Sequence, residues 1–316
     1  MIDDPTTFTP EPAPEPSSKR FSPGINLLII FGSLLAVMIA VGWSVIFLGL
    51  PREAEIREFK LTSSVESFGN FDWEKERDEP IRKVVPLSAI AENLQKSVII
   101  SEDDTFWHHD GVNFQMMKEA WKVNLDRGRY ARGASTITMQ LARNAFLNKE
   151  KTILRKIREI IVARRIEKVL NKRQVLELYL NLIEWGENVY GAEAAAQYHF
   201  SKSANYLNWS EASMLAGILP NPLRFSPFRR VETARKFQKR VLDLLVISKI
   251  IDAQTAAAAF AVPVHLRGQM AFAAPLPIDS LTTAPIEIEE DSIFAISLPE
   301  FSESDSLEPA PADSLP

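Results

Sequence analysis

The sequence predicts a mainly α-helical domain behind a single N-terminal membrane-spanning helix, with disordered ends. Three observations carry this. The 24 residues from Leu27 to Leu50 carry no charge, and at about 1.5 Å per helical residue they exceed the roughly 30 Å hydrocarbon core of a bilayer. From Ile153 to Leu180 apolar residues recur at 153, 154, 157, 160, 161, 166, 169 and 170, then at 175, 176, 178 and 180, which is largely helical spacing. Beyond Phe260 that pattern stops, and Pro263, Pro275, Pro277, Pro285, Pro299, Pro309, Pro311 and Pro316 stand among acids and serines. Such a segment cannot offset its conformational entropy by burial.

In chain order, residues 1–24 are rich in Pro, Glu, Ser and Thr and are expected to be a disordered tail. Residues 25–50 are expected to form the transmembrane helix. A cleaved signal peptide would have an apolar region of about 7 to 15 residues followed by a small-residue cleavage site, which fits poorly here. Lys19 and Arg20 on one flank face Arg52, Arg57 and Lys60 on the other, so charge leaves the orientation open. Residues 51–84, with mixed charge and Phe59, Phe68, Phe71 and Trp73, read as a membrane-proximal stalk lying partly against the membrane or the domain. Residues 85–262 form the helical domain, with no run of alternating residues long enough for a sheet. Residues 263–316 are expected to be an acidic, disordered tail; Ile293-Phe294-Ala295-Ile296 within it suits a docking motif, an incidental apolar patch being the plainer reading.

At 316 residues, 46% apolar and 24% charged, the chain suits one domain with appendages. It contains no cysteine, which excludes disulfides, thiolate chemistry and cysteine-bound metals. Residues 268–316 hold ten acids and no Lys or Arg, so the net charge of −5 hides a basic middle whose partners should be anionic.

Five stretches concentrate chemistry. The first, Ser101 to Gly111, follows the apolar run Val98-Ile99-Ile100 and carries Glu102, Asp103, Asp104, His108 and His109. A carboxylate delivered to the end of an apolar run is partly desolvated, which raises its pKa toward neutrality and suits proton exchange. A solvated acidic turn is the plain alternative. The second, Arg132 to Asn144, offers small residues, the Ser135 and Thr136 hydroxyls, the Gln140 amide and the Arg132 and Arg143 charges. These are groups a phosphate or sugar site uses; a loop capping a helix, with Ser135 as N-cap, competes. In the third, Arg155 to Glu167, Glu159, Ala163 and Glu167 share one helix face and Arg155 lies a turn before Glu159. The fourth runs from Tyr179-Leu180-Asn181 through Trp185-Gly186 and Tyr190-Gly191 to Phe200-Ser201-Lys202, and the fifth from Ser210-Glu211-Ala212 to Pro220-Asn221-Pro222. Both also suit plain helix packing with glycine and proline stops.

Together and in this order, the five resemble the peptidoglycan glycosyltransferases of glycosyltransferase family 51, over about residues 85–228. The family pattern Glu-Asp-x-x-Phe-x-x-His-x-Gly falls on Glu102, Asp103, Phe106, His109 and Gly111. Gly-(Gly/Ala)-Ser-Thr-Ile-x-x-Gln-x-x-(Lys/Arg)-Asn falls on Gly133 to Asn144, and Arg-Lys-x-x-Glu falls on Arg155, Lys156 and Glu159. Asn113 stands where aspartate is common, Met139 where a glutamine is, and Ser201 where a glycine is. No Ser-x-x-Lys or Lys-Thr-Gly motif is present, so the chain resembles the monofunctional biosynthetic transglycosylases.

The resemblance implies a lysozyme-like fold and polymerisation of lipid II, a polyprenyl-pyrophosphate disaccharide-pentapeptide, into glycan strands at the outer face of the inner membrane, with the catalytic domain periplasmic and residues 1–24 cytoplasmic. A donor with a lipid pyrophosphate leaving group needs a base for the attacking hydroxyl and cations for the leaving group. Glu102 is the expected base and Glu159 the second catalytic carboxylate. Asp103, Phe106, His109, Ser135, Thr136, Gln140, Arg143, Asn144, Lys151, Arg155 and Lys156 are the expected substrate-binding residues. No organic cofactor is implied; a divalent cation, Mg2+ or Mn2+, is a candidate, with Glu159 as its ligand. Expected partners are lipid II, the growing strand, membrane lipid and other cell-wall synthesis proteins, and no nucleic acid. A membrane-bound lytic enzyme and a non-catalytic scaffold are the rivals.

Overall fold

The structure is a computed structural model that describes residues 23–68, 71–73, 78–128, 133–148 and 152–268. The expectations for residues 1–22 and for the acidic stretch 269–316 lie outside the described residues. The chain divides into two units, residues 1–48 and 49–316.

The first unit holds α1, Pro23–Phe47. Its stretch Leu27–Phe47 has a mean hydropathy of 2.4 and is long and apolar enough to cross a membrane. Its apolar side chains, Leu27 to Val45, are exposed all round rather than along one stripe, which is consistent with a membrane anchor.

The second unit is mainly helical, and many of its helices begin where a side-chain oxygen caps the free amides. Asn113, Thr136, Thr152, Asn171, Asn208 and Asp252 precede α4 (Phe114–Asp126), α5 (Ile137–Phe146), α6 (Ile153–Val169), α7 (Lys172–Leu182), α9 (Trp209–Ile218) and α11 (Ala253–Ala261). Each accepts the amide three residues on. The cap of α5 is therefore Thr136, one residue after the Ser135 of the competing reading. The long periodic run from Ile153 to Leu180 is two helices, because Asn171 stops one and caps the next.

The remaining helices are α2 (Glu53–Glu58), α3 (Glu92–Glu102), α8 (Ala192–Phe200) and α10 (Val231–Ile247). The main core cluster draws on residues from Leu50 to Leu266. Helix α9 is buried along nearly its whole length between α3 and α10. A Cβ on Gly217 would come within 2.9 Å of Phe237 of α10, so glycine allows that close approach. Helix α5 packs on α6 and α7, placing the second and third sequence stretches side by side.

Strands β1 (Ile81–Arg82), β2 (Glu184–Gly186) and β3 (Val189–Tyr190) make a small sheet in the order β1-β3-β2, with β1 parallel and β2 antiparallel to β3. Among the described residues of 51–84, several are built into the domain. Ile56 is buried against α6, Phe59 lies 4.8 Å from the Phe146 ring, and Trp73 and Ile81 form a small apolar cluster with Val189 and Ala194. At the other end the packing passes the expected boundary at 262: Val264 and Leu266 are buried, and the Arg267 amide donates to the His199 carbonyl at 2.8 Å.

Candidate active site

Helix α3 ends at Glu102, after Val98, Ile99 and Ile100 have buried its apolar face. Glu102 as a whole is half-buried. Gln140 Nε2 donates to Glu102 Oε2 at 2.7 Å, and the Tyr179 hydroxyl donates to Gln140 Oε1 at 3.1 Å. Tyr179 thereby fixes which end of the amide faces the carboxylate. Burial pushes the Glu102 pKa up, opposed by the Gln140 hydrogen bond and by the charges of Arg240 and Arg143, and reinforced by Asp103. Burial also raises the Tyr179 hydroxyl well above its ordinary value, so it serves as a neutral donor.

Asp103 points the other way. It is buried, lies 3.0 Å from His109 Nε2 through each carboxylate oxygen, and accepts the Ile137 amide at 3.0 Å. The Thr136 hydroxyl donates to the Gly111 carbonyl at 2.6 Å. Gly111 has φ of +81°, and a Cβ there would lie 2.7 Å from the Ala163 carbonyl oxygen of α6. Only glycine suits both the backbone and the contact. Asp103, His109, Gly111, Thr136 and Ala163 thus lock α3, α5 and α6 together, and their spacing in the first three stretches is structural.

Glu159 is 1% exposed. Arg155 Nη1 lies 2.9 Å from its Oε1, and Lys156 Nζ lies 3.0 Å from its Oε2. Lys156 also donates to Ser135 Oγ at 2.7 Å. The Lys156 side chain is 37% exposed against 18% for Arg155, so Lys156 is the cation more open to a ligand. Lys156 donates to Glu159 Oε2, while Oε1 faces Arg155 and is buried without a hydrogen-bond partner among the described residues. Among the described residues no cluster of three His, Asp or Glu suits a metal.

Several expected substrate contacts are buried. Phe106 is fully buried, packed edge-on against Trp107 and His109 with the Lys172 ammonium 4.5 Å from its ring centre; it is core. Asp103 and Thr136 are also buried scaffold. Asn144 is exposed, and no hydrogen bond joins it to the other site residues among those described. Lys151 lies outside the described residues, as does Arg132.

The departures from the family pattern have places too. Asn113 caps α4, Met139 is fully buried in the core, and Ser201 adopts φ of +54°, the left-handed region that glycine fills without strain. In the fourth stretch Asn181 bridges to Val85 through both its amide oxygen and nitrogen, at 2.9 Å each. His199 is buried 3.0 Å from the Trp185 carbonyl, and burial lowers its pKa to about 4, so it is a neutral packing residue.

Two residues at the site were not assigned from sequence. Tyr179 sits in the fourth stretch, whose pattern suits plain helix packing. Arg240 of α10 lies outside all five. Two surface cavities of about 340 and 480 Å³ flank Arg267, and neither includes Glu102 or Glu159.

The site therefore offers one partly buried carboxylate suited to taking a proton, beside cations suited to an anionic leaving group. The chain is 42% identical over 161 residues to the biosynthetic peptidoglycan transglycosylase of Paraburkholderia xenovorans, an alignment covering 50% of this chain and 67% of that protein. It is 41% identical over 169 residues to the protein of the same name from Thiobacillus denitrificans, covering 53% and 72%. The solved structure of penicillin-binding protein 1A from Haemophilus influenzae overlaps 59% of this chain and 18% of its own at 21% identity and a TM-score of 0.36, too low a similarity to inform the fold. Residues 69–246 match the transglycosylase family, which takes in α3, α5, α6 and the carboxylates they carry, and the chain belongs to that family.

Proposed function

We propose that this chain polymerises peptidoglycan glycan strands from lipid II, with Glu102 as general base. The observation that carries the assignment to Glu102 is its setting: desolvation raises its pKa while a fixed amide and two cations hold it ready to accept a proton. Glu102 takes the proton of the attacking sugar hydroxyl as that oxygen bonds to the anomeric carbon. The bond to the lipid pyrophosphate breaks on the opposite face, and the stereochemistry inverts. Arg143 and Lys156 are the cations for the departing pyrophosphate, and Glu159 holds Arg155 and Lys156 in place. We assign any divalent cation, Mg2+ or Mn2+, to the pyrophosphate of the substrate rather than to Glu159.

Membrane lipid is the second partner in this reading. Helix α1 supplies a span, and within the second unit Phe114, Trp121 and Leu125 expose an apolar stripe along α4, with Trp107 and Ile153 also exposed. The proposed topology places the second unit in the periplasm. Protease added to spheroplasts should then digest it while a cytosolic control stays intact; protection of the domain alongside digestion of a periplasmic control would contradict that topology.

The function itself is tested by incubating the purified full-length protein with labelled lipid II and resolving the products on a gel. A ladder of lengthening lipid-linked strands is expected. Loss of preformed polymer with no strand growth would mean the lytic reading is correct, and no change in either would mean a scaffold.

A further inference from the structure

We infer that Tyr179 is a positioning residue for the base: from α7 its hydroxyl holds the Gln140 amide with the donor end on Glu102, so that a directed hydrogen-bond chain backs the carboxylate. This deepens the proposed function and rests on the reading of Glu102 as base.

The chain joins three helices. At the end of α3 two adjacent carboxylates meet α5: Asp103 accepts the Ile137 amide at 3.0 Å, and Glu102 accepts Gln140 Nε2 at 2.7 Å. Gln140 lies one turn into α5, with its backbone amide on the Thr136 carbonyl at 3.0 Å. The start of α5, anchored on Asp103, thereby sets where the Gln140 side chain reaches. On α7, Tyr179 shares the face that buries Val175, Leu176 and Leu180, and it is itself buried. Its hydroxyl donates to Gln140 Oε1 at 3.1 Å.

An amide has one accepting and one donating end, and an ionised carboxylate only accepts. Turned over, Gln140 would set its carbonyl oxygen against Glu102 and leave the carboxylate without this donor. The same turn would take the acceptor away from the Tyr179 proton, which burial keeps on the phenol oxygen. A buried donor without an acceptor is costly, so Tyr179 opposes the turn. Bonds that share one amide also polarise each other, and donation to Oε1 strengthens donation from Nε2.

The charges acting on Glu102 are Asp103 of α3, Arg143 of α5 and Arg240 of α10. Phenylalanine at position 179 keeps the ring and leaves all three in place. It removes one link of the chain alone.

The test uses full-length Tyr179→Phe, Gln140→Met and the double variant, with initial rates of lipid II polymerisation followed across pH and thermal unfolding measured alongside. Losing a hydrogen bond that favours the ionised form raises the pKa of the base, so the acid limb of the rate profile should move to higher pH. Tyr179→Phe should lose roughly 2- to 10-fold on that limb, the worth of about one hydrogen bond, with the deficit vanishing toward the plateau. Gln140→Met should move the limb at least as far. Adding Tyr179→Phe to it should move the limb no further, because the tyrosine acts through the amide. An unmoved limb in either single variant overturns the inference, as does a deficit equal at all pH values, or a Tyr179→Phe shift that persists undiminished beside Gln140→Met. Glu102→Gln separates this failure from that of the underlying reading. If that variant retains turnover, the base assignment itself falls; if it is inactive and the Tyr179→Phe limb has not moved, only the role of Tyr179 falls.

Discussion

Glu102→Gln is expected to lower lipid II turnover by roughly 10²- to 10⁴-fold, the usual worth of a positioned proton acceptor, while leaving the protein folded. Glutamine fits the same space and can still meet the Gln140 amide, so the loss should fall on kcat rather than on KM. Stability should move the other way. The folded-state pKa of Glu102 is raised by burial, so between the unfolded and folded values the native state binds the extra proton. Stability then falls as pH rises through that interval, and the ionised carboxylate is a cost above it. The glutamine variant should unfold at or above the wild-type midpoint, with the gap widening as pH rises through the interval. Near wild-type turnover would remove the proposed mechanism.

The second large effect is expected at Glu159, and it is of another kind. The carboxylate is buried between Arg155 and Lys156, and Lys156 is tied in turn to Ser135. Glu159→Gln leaves two cations facing a neutral amide. Breaking a buried pair from one side costs about 3 to 5 kcal/mol when the stranded charge cannot escape. Lys156 can swing into solvent, so about 3 kcal/mol is the expected loss. The kinetic defect should include a raised KM for lipid II, because the cations meant for the pyrophosphate are displaced. Thermal unfolding and initial rates against lipid II concentration check both. An unchanged midpoint together with an unchanged KM would mean that Glu159 does not hold these cations.

The two glutamates also show what the sequence made legible. Both stood out because local context labelled them: an apolar run before Glu102, and Arg155 and Lys156 a helical turn from Glu159. The helices were legible for the same reason, since periodicity and capping are local. What escaped depends on contacts across the chain. Tyr179 of α7 acts on Glu102 through Gln140, and Arg240 of α10 acts through its charge, and nothing in their own neighbourhoods marks them. Phe106 stands within a chemical motif, yet it is buried in the core, and part of that motif locks α3 to α5 and α6. The small sheet was invisible because strands of two or three residues carry no period, and its pairing joins Ile81 to Val189 across more than a hundred residues. The residues 51–84 read as a stalk because mixed charge hides the few side chains, Ile56, Trp73 and Ile81, that anchor them.

Glu102 is the group that must lose its proton before transfer, and the pH dependence of the wild-type enzyme at limiting lipid II addresses that most directly. The initial rate should fall on the acid side with a single-proton limb whose midpoint lies above the ordinary carboxylate value, because burial raises the Glu102 pKa. A rate that stays constant as pH falls through the carboxylate range would contradict it.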